Sequence, residues 1–280
     1  MRRFRDIVRD YRAVFFDAYG VLKNHRGVLP GISETFDFLR ENSIEFYVVT
    51  NDASRSPEAL AAVYAKAGLE EITEDKIISS GMLAREYLDA KVKSGRVAFL
   101  GTKTSAHYIT NDDLETVPVE DLDLDDVDSV NALVFLDDEG FDWSRALGNA
   151  VNLLRFRNIP VIVANTDATY PESKREVSIA VGSMANMIEG IVERHFIRFG
   201  KPDAQMFHFA FEHIQRPGRP IPKREILMVG DTLQTDILGG NHFGIDTTLV
   251  LTGNTTPRMV EPLVDHTGIL PDFVCESVVD

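Results

Sequence analysis

The chain has 280 residues, with 29 Lys and Arg against 44 Asp and Glu, a formal net charge of −15. Hydrophobic residues make up 44%, which excludes a disordered chain and suffices for one large domain or two modest ones. A sequence pI near 4.9 argues against a general nucleic-acid binder. It leaves room for a phosphorylated small molecule held by a few local donors and a metal ion.

The first twelve residues carry Arg2, Arg3, Arg5, Arg9 and Arg12 but no apolar stretch, unlike a secretory signal. Asp6 and Asp10 argue against a mitochondrial presequence. The segment reads as a short amphipathic helix with Phe4, Ile7, Val8 and Tyr11 inward. No apolar run reaches the about 18 residues of a membrane span, so no membrane partner and a cytoplasmic location are expected.

Short apolar runs then alternate with helical patterns. Ala13-Val14-Phe15-Phe16 reads as a buried strand ending at Asp17, and 32–41 as a helix. Phe46 to Val49 is a second buried strand, ending at Thr50; 57–68 is a helix with Pro early and Gly at its end. Strands follow at 77–78 and 97–100 around a helix at 82–88. The alternation implies βαβ units and a parallel sheet.

Six acids crowd 120–128. An EF-hand loop fails on position, because Asp126 and Ala132 stand where the turn Gly and the closing Glu belong. The run is read as a solvated loop. Further on, strands are expected at 132–136, 161–164, 226–229 and 247–251, and helices at 143–156, 183–193, 203–214 and 236–243. A loop with three prolines covers 216–222. The single cysteine, Cys275, cannot form an intramolecular disulfide or a thiolate metal cage and is read as structurally neutral.

Open parallel sheets bind ligands beyond the carboxyl ends of their strands. Four expected strand ends are polar there: Asp17, Thr50-Asn51, Asn165 and Asp231, with Lys201 ahead of a helix. Two carboxylates drawn together repel, and a divalent cation such as Mg²⁺ removes the repulsion through hard-oxygen coordination. Thr50 and the turn after it offer donors for phosphate oxygens. Lys201 offers a charge that screens a carboxylate from an incoming phosphate, and an Asp attacking phosphorus forms an aspartyl phosphate. Each residue taken alone is equally compatible with a capping or surface role.

In order, Phe15-Phe16-Asp17-Ala18-Tyr19-Gly20-Val21-Leu22, Val48-Val49-Thr50-Asn51, Gly200-Lys201-Pro202-Asp203 and Met228 to Ile237 resemble the four motifs of the haloacid dehalogenase (HAD) superfamily of phosphohydrolases. Pro30-Gly31, Ala164-Asn165-Thr166-Asp167 and Thr235 to Asn241 make the chain similar to its class IIA, NagD-like and p-nitrophenyl phosphatase-like members, from about Ala13 to Gly253. The resemblance implies an α/β fold: a Rossmann-like parallel-sheet core formed by 1–81 plus 196–280, and an inserted α/β cap domain of the class IIA type at 82–195. It implies that Asp17 is nucleophile and Mg²⁺ ligand, Asp231 a second ligand, and Tyr19 a ligand through its main-chain carbonyl. Thr50, Asn51 and Lys201 would hold the phosphate, and Asp236 would steady a metal-bound water or Lys201. Asn165 and Asp167, with Tyr170 or His107 nearby, would meet a small phosphorylated metabolite, sugar phosphate-like among others. A homodimer through the caps is a further implication of the class.

The sequence departs from the family at Tyr19, where the hydrolases carry a second Asp as general acid and base. The peptide carbonyl survives the change and the carboxyl does not. A phenol with a pKa near about 10 is a poor base at neutral pH. Losing acid–base help costs about 10²–10⁴-fold, or about 3–5 kcal/mol of barrier. Three readings stay open: a slow or selective phosphatase with His25 or Asp52 substituting, a phosphotransferase passing on its aspartyl phosphate, or a sensor or scaffold that binds a phosphorylated metabolite without turning it over.

Overall fold

The computed structural model describes residues 1–173 and 176–279. The chain forms two compact units, one made of Met1–Thr50, Pro57–Ile78 and Lys201–Asp280, the other of Asn51–Ser56 and Ser79–Gly200. The sequence alone places the inserted domain at 82–195. The division by contacts falls at 79 and 200 and adds the segment after Thr50 to the second unit.

The first unit is built on a six-stranded sheet ordered Phe273–Cys275, Asp246–Val250, Ile226–Gly230, Ala13–Phe16, Glu45–Thr50, Ile77–Ser79. The pairs from Phe273–Cys275 to Glu45–Thr50 run parallel. Ala13–Phe16 is central and wholly buried, as an uninterrupted apolar run demands. Side chains alternate across the pleat. Phe16 packs on Phe4, Phe36 and Phe46 on one face, while Phe15 meets Tyr47 on the other. The helix at Phe4–Val8 buries Phe4, Ile7 and Val8 in this core, and Tyr11 joins them there.

A second parallel sheet organises the other unit, in the order Ile197–Arg198, Val161–Val163, Val130–Phe135, Gly95–Leu100, Leu114–Pro118. The helix Trp143–Phe156 turns Ala146, Ala150, Leu153 and Leu154 onto it, and Asp142 caps it by accepting from Arg145 N at 2.8 Å. A hairpin pairs Thr169–Pro171 with Val177–Ile179. The acidic run becomes two short turns. Leu122 and Val127 are buried there, while Asp126 pairs with Arg96 at 3.0 Å and Asp128 with Arg157 at 2.8 Å. Among the described residues no helix is long and apolar enough to cross a membrane.

Some elements differ from expectation. The helix expected at 236–243 opens with a π-helical turn, Leu233–Ile237, before Leu238–Phe243. The helix at Val260–Thr267 and the strands Leu114–Pro118 and Phe273–Cys275 are additions. Cys275 is buried on the last of these, at the sheet edge.

Candidate active site

In the first unit, Asp17 and Asp231 each follow the last residue of adjacent parallel strands. Asp17 N extends the ladder by donating to Val229 O at 2.9 Å. This register carries both carboxylates to the same end of the sheet. Oxygens of Asp17, Asp231 and Asp236 all lie within 4.8 Å of one another.

Lys201 joins the cluster from the start of the unit's last segment. Its Nζ donates to Asp17 Oδ1 at 2.5 Å and stands 2.8 Å from Asp236 Oδ1. The residue is 2% exposed. Burial opposes its charge, but Asp17 and Asp236 outweigh burial and hold its pKa above the ordinary lysine value.

Asp236 reaches this position from the π turn, and its Oδ2 accepts Thr232 N at 3.1 Å. Asp231 accepts the Thr232 hydroxyl at 2.8 Å on Oδ1 and Asn254 N at 2.5 Å on Oδ2. Burial first, and neighbouring carboxylates next, raise the pKa of Asp231. Burial also raises that of Asp236, against the pull of Lys201.

Two glycines let the backbone close on Asp231. A Cβ on Gly20, whose φ is +83°, or on Gly253 would collide with its carboxylate. Thr252 Oγ1 fastens the two loops by donating to Gly20 O at 2.5 Å. Tyr19 is half-buried beside this turn; burial and then Asp231 raise its pKa above the usual phenol value, so it is ionised still less at neutral pH and is a weaker proton donor.

Thr50 ends its strand, buried. The side chain of Asn51 belongs with the second unit: its Nδ2 donates to Asp167 Oδ1 at 2.8 Å and Thr166 Oγ1 at 3.2 Å. Asn165 Oδ1 accepts Asp167 N at 2.9 Å in an Asx turn. Tyr170 donates its phenol to Asp138 Oδ2 at 3.1 Å, and His107 is exposed. His25 sits exposed between two short paired strands, and Asp52 accepts from Ser54 N and Oγ at 2.9 and 2.6 Å. Sequence reasoning missed Thr232 and Asn254 as partners of Asp231. The Thr252-Gly253-Asn254 turn after the neighbouring strand was the available signal.

The donor set suits a hard divalent cation. Three carboxylates against one ammonium leave two formal negative charges, and each carboxylate oxygen keeps a lone pair beyond its present hydrogen bond. Paired carboxylates, a buried lysine and main-chain donors at the end of a parallel sheet are equipment for phosphoryl transfer.

Residues 14–115 match a family model described as haloacid dehalogenase-like hydrolase, and residues 198–280 one described as HAD-hydrolase-like. Chronophin of Bos taurus is 28% identical over 284 residues, covering 99% of this chain and 94% of that one. The crystal structure described as a possible sugar phosphatase of the HAD superfamily, from Cytophaga hutchinsonii ATCC 33406, is 56% identical. It covers 100% of this chain and 98% of its own, with a TM-score of 0.96. A structure described as a putative nagD protein is 26% identical with a TM-score of 0.73, over 89% of this chain and 91% of its own. The chain belongs to the haloacid dehalogenase-like hydrolase superfamily, in its class IIA, NagD-like branch. It is a phosphoric monoester hydrolase acting on small phosphorylated metabolites.

Proposed function

We propose that the chain hydrolyses a sugar- or polyol-like phosphate monoester through an aspartyl phosphate on Asp17, with Mg²⁺ as the divalent cation. The observation that carries this reading is the Asp17 carboxylate bonded to buried Lys201, with Asp231 and Asp236 within 4.8 Å. Asp17, Asp231 and the Tyr19 main-chain carbonyl would hold the ion. When bound, Mg²⁺ supplies charge neutralisation and Lewis-acid polarisation of the phosphoryl oxygens.

Asp17 attacks phosphorus as the ester oxygen leaves. Lys201 orients the carboxylate and offsets the charge of the approaching phosphate, and Asp236 keeps Lys201 in place. Thr50 donates its hydroxyl to a phosphate oxygen. Water then attacks phosphorus, releasing phosphate and returning the carboxylate. Tyr19 offers no carboxyl to protonate the leaving oxygen or deprotonate this water, so the reaction favours esters whose leaving group needs little protonation. Residues 79–200 act as the cap that reads the leaving group, with Asn165 and Asp167 as its polar contacts. A second reading, a slow hydrolase that holds its metabolite longer than it turns it over, is favoured by Tyr19 alone.

A metabolite-panel assay with p-nitrophenyl phosphate, with and without Mg²⁺, tests the proposal. Phosphate release should need Mg²⁺ and fall to background in Asp17→Asn. Absence of release from every sugar- and polyol-phosphate ester in the panel would overturn the proposed substrate class. Tyr19→Asp should raise turnover of esters with poor leaving groups by up to about 10²-fold.

A further inference from the structure

At the opposite end of the core sheet from Asp17 lies a cavity of about 360 Å³. The strand Glu45–Thr50 begins in it and ends at Thr50, so the two places are roughly 16 Å apart along that strand. The volume is that of a small-molecule pocket. Phe36, Ile44 and Phe46 supply its apolar surface, the two rings stacked at 4.4 Å and 15°.

One wall is a cation drawn partly out of water. Lys76 is half-buried, its Nζ 4.4 Å from the Tyr47 ring centroid and 5.6 Å from that of Phe46. Among the described residues no carboxylate lies within 4.0 Å of it. Burial lowers its pKa, against the longer-range pull of Glu45 and Asp75. Exposed Arg219 lines the rim and also lacks a salt-bridge partner among the described residues, whereas Arg40 pairs with Asp37. Glu45 accepts the Tyr47 hydroxyl at 2.8 Å, and Glu71 adds a second acid to the lining. Two acids in the lining disfavour a dianion more than a monoanion.

We infer that this cavity binds a small monoanionic carboxylate with an apolar body, the carboxylate on Lys76 and Arg219 and the body against Ile44 and Phe46. The site shares no residue with the phosphoryl-transfer centre. An apolar surface gives affinity, and two cations outside any ion pair among the described residues give the sign of charge.

Calorimetric titration of the full chain with 3-phenylpropionate and its neutral amide tests this. The carboxylate should bind and the amide should bind at least about tenfold more weakly. Lys76→Gln and Arg219→Gln should each weaken the carboxylate by about tenfold, Lys76→Arg should restore most of the affinity, and Asp17→Asn should change nothing. Arg219 is exposed, so its variant keeps the test valid should Lys76→Gln prove unstable. No carboxylate binding at millimolar concentration, equal binding of the amide, or insensitivity to both cation variants would overturn the inference. Loss of binding in Asp17→Asn would place the carboxylate in the catalytic centre, which also overturns it.

Discussion

Each unit has a parallel sheet whose strands end in acids, and the acids are treated differently. In the first, Asp17 and Asp236 share the buried ammonium of Lys201. In the second, Asp137 and Asp138 follow the strand Val130–Phe135 and face neutral donors. Asp137 accepts Asp138 N at 3.0 Å, and Asp138 accepts the Tyr170 phenol. Burial, then Asp138, pushes Asp137 up to about 6. A cation beside a buried carboxylate offsets part of the cost of burial, although Asp236 is still pushed up; neutral dipoles alone leave Asp137 without that offset.

Deleting the counter-charge would break the contrast most severely. Lys201→Met leaves half-buried Asp17 and buried Asp236 close together with no cation between them. Unfolding in urea should show a loss of about 3–5 kcal/mol, the usual cost of orphaning a buried charge, together with loss of turnover. Mg²⁺ should recover more stability in this variant than in the parent, because a ligand of the native state stabilises it by mass action. A loss below about 1 kcal/mol would mean that Lys201 does not hold the cluster charged.

A smaller perturbation moves Asp231 without changing any charge. Gly253→Ala puts a methyl against that carboxylate and should cost about 1–3 kcal/mol, with reduced Mg²⁺ affinity. Gly148, in the second unit's helix Trp143–Phe156, has open space around a new Cβ. Gly148→Ala should therefore stabilise by about 0.4–1 kcal/mol. Thermal melts of the two variants should move in opposite directions.

The same contrast explains what could be read in the sequence. Trp143–Phe156 and Ile32–Glu41 were legible to the residue because apolar spacing and end signals agree. Asp17, Asp231 and Lys201 were legible because each adjoins a recognisable strand end or turn. Thr232 and Asn254 were not, since both give Asp231 a main-chain or hydroxyl donor that carries no compositional mark. Phe273–Cys275 is three residues at a sheet edge, too short to show a period. The helix Val260–Thr267 contains Pro262 and has no fully buried residue, so its pattern is faint. Asp137 and Asp138 resemble the solvated acids of 120–128 in the sequence. Burial alone distinguishes them, and burial comes from the third dimension.

The least severe test reverses the sign of the first. The folded-state pKa of Asp137, about 6, lies above its ordinary value of 3.8. The folded chain therefore holds this proton more tightly than the unfolded chain. The stability it contributes is full below about pH 4 and is lost as pH rises through about 6. Asp137→Asn keeps a neutral side chain throughout, so it should match the parent near pH 4. By pH 7 it should exceed the parent by about 1 kcal/mol, solvent screening at this partly open position having been allowed for. Urea unfolding at pH 4, 5, 6 and 7 measures the divergence. A variant less stable than the parent at pH 7 would show that Asp137 has a counter-charge after all, and the two sheets would then differ in degree rather than in kind.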